Sequence, residues 1–262
     1  MYGLKARTLQ TDPLTTSGSV PILRILRTVP PPRARARLSC SMIVPTTADG
    51  SEPRGNLIFD AKGNLYGTTY AGAEYDLGAA FELTPGAGGV WKEKLIYIFG
   101  KPQTGPWSPT SGVIFDSKGN LYGTTIFGGS PCDVCGTVFE LSPGAGGKWN
   151  AKTLHSFNHG KTDGYSPQGN VAFDAEGDLY GTTFYGGAYI SYGIAFELTP
   201  AAGGSWTEKL LHSFGNGKDG ARPVGNLVRD KAGNLYGTTS TGGENGEGAV
   251  FEIVSPHKAE AP

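Results

Sequence analysis

The chain has 262 residues, of which 42 are glycine and only 17% are charged. That length is enough to bury a sizeable core in one domain or two. The glycine, together with abundant Thr, Tyr and Phe, favours short strands and tight turns over helices, and no stretch sustains a helical apolar period. The net charge of −1 is uneven: residues 1–37 hold seven Lys/Arg against Asp12 alone, leaving 15 basic and 22 acidic residues in the remainder. An acidic body argues against nucleic-acid binding, which needs a basic surface.

Residues 1–37, with Pro30-Pro31-Pro32 and a mixed Arg/Ala run, cannot build a core and read as a disordered or misassigned basic leader. The best apolar run there, Val20 to Leu26, is short and broken by Arg24, so no signal peptide is visible. Nothing in the chain is long and apolar enough to predict a membrane span.

From Pro53 onward the chain repeats. Asn-Leu-Tyr-Gly-Thr-Thr starts at Asn64, Asn120 and Asn234, and Asp178 opens a fourth copy at nearly the same interval. A fixed period of this size means one supersecondary unit copied four times. The copies span 53–108, 109–166, 167–222 and 223–256 within a single domain at 38–256, followed by a tail at 257–262.

Each copy opens with a proline (Pro53, Pro109, Pro167, Pro223) and a short apolar strand, such as Leu57-Ile58-Phe59. Asp-x-x-Gly-Asn/Asp follows, a tight-turn signature in which Gly63, Gly119, Gly177 and Gly233 supply positive φ and the Asp accepts backbone N–H groups. Leu-Tyr-Gly-Thr-Thr is the second strand. After a Gly-rich loop, Phe-Glu-Leu is the third. A second Gly-rich turn leads to a fourth strand, anchored by Trp91 and Phe99, Trp149 and Phe157, and Trp206 and Phe214. The even Trp-to-Phe spacing, the same in all three copies, predicts that both rings share one face of that strand. Four short antiparallel strands in each period match the size of one β-propeller blade, so the predicted fold is all-β, propeller-like, with four blades. The last copy stops after its third strand. Residues 38–46 are placed where a fourth strand should be and are expected to complete the last blade if the ring closes; an open fragment of a larger propeller is the alternative.

Gly-Asn-Leu-Tyr-Gly-Thr-Thr-x-x-Gly-Gly, then Gly-x-x-Phe-Glu-Leu-Thr/Ser-Pro, then Leu-x-x-Phe and Asp-Gly-x-x-Pro resemble the Gloeo/Verruco (GloVer) repeat across about residues 47–256. The departures are Asp178 for Asn, Gly105-Pro106 for Asp-Gly, and the unmatched residues 1–37. The resemblance implies a secreted or cell-surface bacterial protein and brings no established activity with it.

In a meander the second-to-third connection and the connection between blades lie at one end. Those are the connections that differ between copies, so they form the expected functional face. It carries Tyr70, Phe127, Tyr185, Trp107 and Tyr165, ring types that stack on sugar C–H faces. The same rings could instead pin the loops down. Asn56, Asn170 and Asn226 open three of the first strands and are candidates for the channel mouth. Cys132-Asp133-Val134-Cys135 supplies half a zinc site at most, with His159 as a third ligand only if the fold brings it near; a local disulfide is the preferred reading. His155 and His212 occupy the position of Tyr97 and read as strand residues. No metal or cofactor is expected. The expected function is a non-enzymatic binding or structural module, a monomer whose partner is a polysaccharide or surface protein. The alternatives are a propeller glycoside hydrolase or lyase, using loop carboxylates among Glu74, Asp76, Asp133, Glu244 and Glu247, and a pure scaffold.

Overall fold

A computed structural model describes residues 49–100, 105–189 and 191–254. The expected fourth strand at 38–46, Cys40, and the leader and tail lie outside the described residues. The fold is all-β: four antiparallel sheets form the four blades of a β-propeller arrangement. No helix among the described residues is long and apolar enough to cross a membrane.

The first three blades have four strands each, in sequence order, and the fourth has three among the described residues. In the second blade these are Ile114–Phe115, Leu121–Thr125, Thr137–Pro143 and Trp149–Ser156. The fourth blade consists of Ala221–Arg229, Leu235–Thr241 and Ala249–Ile253.

Every letter of Leu-Tyr-Gly-Thr-Thr has a physical assignment. Leu121, Leu179 and Leu235 are buried core residues. The glycine lies beneath the phenylalanine of the third strand. A Cβ on Gly67 or Gly123 would meet the tip of Phe81 or Phe139 at 2.7 Å, and Gly181 and Gly237 face Phe196 and Phe251 in the same way. Any side chain there would displace a ring that is buried in every copy. The first threonine reaches the next blade: Thr68 Oγ1 donates to the Ser111 carbonyl (2.6 Å) and Thr124 Oγ1 to that of Gly169 (2.9 Å). The second threonine accepts the N–H of Ala79, Ile194 or Ala249 in the first, third and fourth blades, closing the top of the sheet.

The tyrosine hydroxyl joins two acids. Tyr66 lies 3.4 Å from Asp60 Oδ2 and 3.0 Å from Glu82 Oε1, and Tyr180 and Tyr236 reach the matching Asp and Glu. The Asp is the turn residue. Asp116 accepts the N–H groups of Lys118 and Asn120 on one oxygen and the Asn120 side-chain amide on the other. Burial works to raise the Asp60, Asp116 and Asp230 carboxyls, but these hydrogen bonds outweigh it and hold all three below the ordinary 3.8.

The blades join through rings. Phe115 of the second blade stands edge-on to Tyr66 of the first at 5.1 Å, and Phe173 to Tyr122 at 4.9 Å. Phe99, Phe157 and Phe214 reach forward onto Phe139, Phe196 and Phe251 of the following blade. The fourth-strand Trp and Phe therefore do not share a face. Trp149 reaches back to Tyr66 at 6.2 Å, while Phe157 goes forward. The cause is a register shift, a β-bulge, between the two: Phe139 pairs with Thr153 while Val138 pairs with His155, so Leu154 is an extra residue. One inserted residue reverses the alternation beyond it.

The first and fourth blades carry exposed apolar side chains. Phe59, the counterpart of Phe115 and Phe173, is 62% exposed, and Val228 and Val250 of the fourth blade are 67% and 57% exposed.

Gly123→Ala is expected to cost about 1–3 kcal/mol in urea denaturation, the usual penalty for overpacking. Adding Phe139→Leu should recover part of that loss, a non-additivity that a double-mutant cycle will read out. The turn carboxylates set a second expectation. Their folded-state pKa values lie below the unfolded one, so their contribution is whole above 3.8 and is lost as pH falls through the folded values. Thermal melts should show stability falling below that point, with a smaller acid-dependent loss in Asp116→Ala.

Candidate functional site

The connection into each blade is more ordered than a loop. Pro106–Trp107 pairs with Phe127–Gly128, and Gly164–Tyr165 pairs with Tyr185–Gly186, as short antiparallel ladders. In the fourth blade the equivalent stretch is continuous with the first strand, at Ala221–Arg229. Trp107 and Tyr165 are thus strand residues, directly opposite Phe127 and Tyr185.

A residue at positive φ follows each of these positions: Glu52, Ser108, Ser166 and Arg222, with φ of 55° or 56°. Non-glycine residues rarely adopt this conformation, and here it recurs once per copy, just before the repeat proline. It lets one residue bridge two blades. Ser166 donates its N–H to the Cys135 carbonyl of the preceding blade (2.7 Å), and its own carbonyl accepts from Phe184 (3.1 Å). Ser108 does the same between Leu77 and Ile126, and Arg222 donates to Tyr192. The variable end is therefore laced together by backbone bonds. The doublet formed by these residues and the following proline was the available sequence signal; its meaning depends on contacts with the preceding blade.

On this frame the aromatic residues pair. Trp107 stacks on Phe127 with centroids 4.5 Å apart and planes at 28°. Tyr165 stacks on Tyr185 at 5.1 Å and 22°, and His159 lies against Tyr165 at 4.2 Å. Phe184 stands edge-on to Tyr185, and the Arg222 guanidinium sits 5.7 Å from both rings. In the first blade Arg54 covers Tyr70 at 3.8 Å and is held by Glu52 at 2.5 Å. All five sequence-predicted rings are half-buried. Burial, then the neighbouring Tyr185, raises the Tyr165 hydroxyl above its ordinary value. The outer blades lack paired rings: Ser51 faces Ala71, and Ala221 faces Thr241. Arg54, Arg222 and His159 were missed as ring partners, because nothing in the repeat pattern marks them.

The three asparagines lie elsewhere, where first strands of adjacent blades meet. Asn226 Oδ1 accepts the Asn170 backbone N–H (2.9 Å), while Asn56 abuts Gly112. Asn170 is buried, whereas Asn56 and Asn226 are exposed. Cys132 and Cys135 form a disulfide, with His159 close by. The Cys135 carbonyl is the one that anchors Ser166, so the clip holds the loop beside the Tyr165–Tyr185 stack. Three of the loop carboxylates are engaged separately. Asp76 accepts the Gly72 N–H, Glu74 meets the Tyr75 hydroxyl, and Glu244 pairs with Lys218.

Residues 53–260 match a known repeat family, the Gloeobacter/Verrucomicrobia repeat. The chain belongs to that family. Among curated proteins none matches it. For a Gloeobacter/Verrucomicrobia repeat protein, the invariant phrases are now accounted for as framework: strand pairing, Gly–Phe packing and the Asp turn. The differences between copies concentrate at the aromatic end.

The Tyr165–Tyr185 stack should contribute a coupling of about 0.5–1.5 kcal/mol to stability, read from a double-mutant cycle with Tyr165→Ala and Tyr185→Ala.

Proposed function

We propose that this Gloeobacter/Verrucomicrobia repeat protein is a non-enzymatic binding module that recognises a polysaccharide at a bacterial surface, the location its family resemblance implies. The observation that carries this reading is the pair of stacked aromatic platforms, Trp107/Phe127 and Tyr165/Tyr185, at the same end of adjacent blades. Each ring is braced by its partner, and Tyr165 by His159 as well, yet each is only half-buried, which leaves area to cover sugar C–H faces. The platforms are held by ladders and interblade hydrogen bonds, so little ordering entropy remains to be lost on binding. Arg54 and Arg222 provide hydrogen-bond donors beside the rings, suited to hydroxyl or acidic groups of a glycan. The separate engagement of Asp76, Glu74 and Glu244 supports binding over hydrolysis, since a glycosidase needs two carboxyl groups facing each other across a cleft.

The full chain on a glycan array should retain a restricted set of polysaccharides, with affinity falling about five- to tenfold in Trp107→Ala and in Tyr165→Ala. Array binding that survives both substitutions unchanged would count decisively against the aromatic platform.

A further inference from the structure

A second cluster, independent of the aromatic reading, lies at the seam between the second and third blades. His155 comes from the fourth strand of the second blade, Trp149–Ser156, and Glu208 from the fourth strand of the third, Trp206–Ser213. Asp163 comes from the linker between them. The His155 Nε2 is 3.5 Å from Asp163 Oδ1 and 3.6 Å from Glu208 Oε2, and one ligand atom from each of the three lies within 4.8 Å of the others. The side chains are only 18%, 7% and 13% exposed.

As they stand, two of these groups are poorly satisfied. His155 Nε2 and Glu208 Oε1 are shielded from solvent and have no hydrogen-bond partner among the described residues. Buried polar atoms without partners are costly and call for an explanation. Burial pushes the Glu208 carboxyl up to about 7, His155 opposes that rise, and the Asp163 carboxylate adds to it.

The chain contains its own control. One blade later the equivalent pair, His212 and Asp219, has no third ligand among the described residues, and its Nε2 to Oδ2 distance closes to an ordinary 2.8 Å. At the first seam the histidine position is Tyr97 and the Glu208 position is Ala151. Among the described residues all three groups come together only at the second seam, and there they stand apart. That spacing is informative: tetrahedral zinc with N and O ligands at about 2.0–2.2 Å has donor–donor edges of about 3.3–3.6 Å.

We infer that His155, Asp163 and Glu208 form a binding site for one divalent transition-metal ion of the zinc type, with the fourth position open to water. An imidazole with two carboxylates suits such an ion better than calcium or magnesium, which take oxygen-rich shells. Asp163 is already oriented for the role. Its Oδ1 accepts the Gly164 N–H (2.7 Å), and its Oδ2 accepts the backbone and side-chain N–H groups of Asn158 (3.0 and 2.7 Å). Phe157 stands edge-on to the imidazole at 4.7 Å and limits its rotation. The ion would join the outer strands of two blades to the linker between them, relieving the orphaned His155 Nε2.

The test is zinc chloride titrated into the chelator-stripped full chain, followed by calorimetry and thermal melting. The expected result is one equivalent bound, with Tm raised by roughly 5–10 °C at a hundredfold excess over Kd. Glu208→Gln, nearly isosteric, should keep the fold by circular dichroism and weaken binding at least tenfold; His155→Ala should remove it. The rival ligand set is His159 with Cys132 and Cys135 in reduced form. A Cys132→Ser/Cys135→Ser variant should therefore bind zinc as the parent does. Absence of zinc uptake, full affinity in folded Glu208→Gln, or loss of binding in the cysteine variant alone would each overturn the assignment.

Discussion

The whole arrangement depends on one close approach, the phenylalanine of each third strand lying across the bare Cα of the glycine in the second. Because that ring sits low, its far side is free to receive the fourth-strand phenylalanine of the preceding blade. Phe99 on Phe139, Phe157 on Phe196 and Phe214 on Phe251 follow directly. A β-carbon at the glycine would lift the ring and move the interblade contact with it. The repeated Leu-Tyr-Gly-Thr-Thr is therefore a packing rule: the glycine is there because of what sits above it. At this position none of the four copies has positive φ, so backbone freedom is not the reason.

The bulge in each fourth strand is the complementary device. A regular strand would put its Trp and Phe on the same side and serve one neighbour. With one extra residue, at Leu154 in the second blade, the strand turns its Trp back and its Phe forward, and so contributes to both flanking cores. Bulges add twist as well as changing faces, which suits strands at the outside of a propeller. Outer strands of adjacent blades are also tied by Lys94 to the Gly147 carbonyl and Lys152 to that of Gly204.

The variable end is stiff for a different reason. Its order comes from the left-handed residue before the repeat proline, whose backbone N–H and carbonyl join consecutive blades at Ser108, Ser166 and Arg222. Side chains there can change without loosening the frame, so Ser108 and Ser166 are followed in the fourth copy by Arg222. This separation of frame from display lets the two middle blades carry stacked rings while the outer two carry Ser51, Ala71, Ala221 and Thr241 at the same positions.

Residue order alone was enough to define the unit, its four copies, the succession of strands within a blade, and the role of the turn aspartates. All of these follow from local chemistry repeated at a fixed period: alternation, glycine turns, and an Asp bonded to its own next residues. The loops that differ between copies were legible on the same basis. Which residues face each other was settled in three dimensions. The Trp and Phe of the fourth strand part company because a bulge is invisible to residue counting. Trp107 and Tyr165, read as loop residues, became strand residues opposite Phe127 and Tyr185 because their pairing partners lie beyond two intervening strands of the following blade. His155 looked like a strand filler for a related reason: Asp163 is near in sequence, but Glu208 arrives from the fourth strand of the next blade. Contacts across a seam depend on the geometry of two blades at once, and that geometry exists only after both have folded.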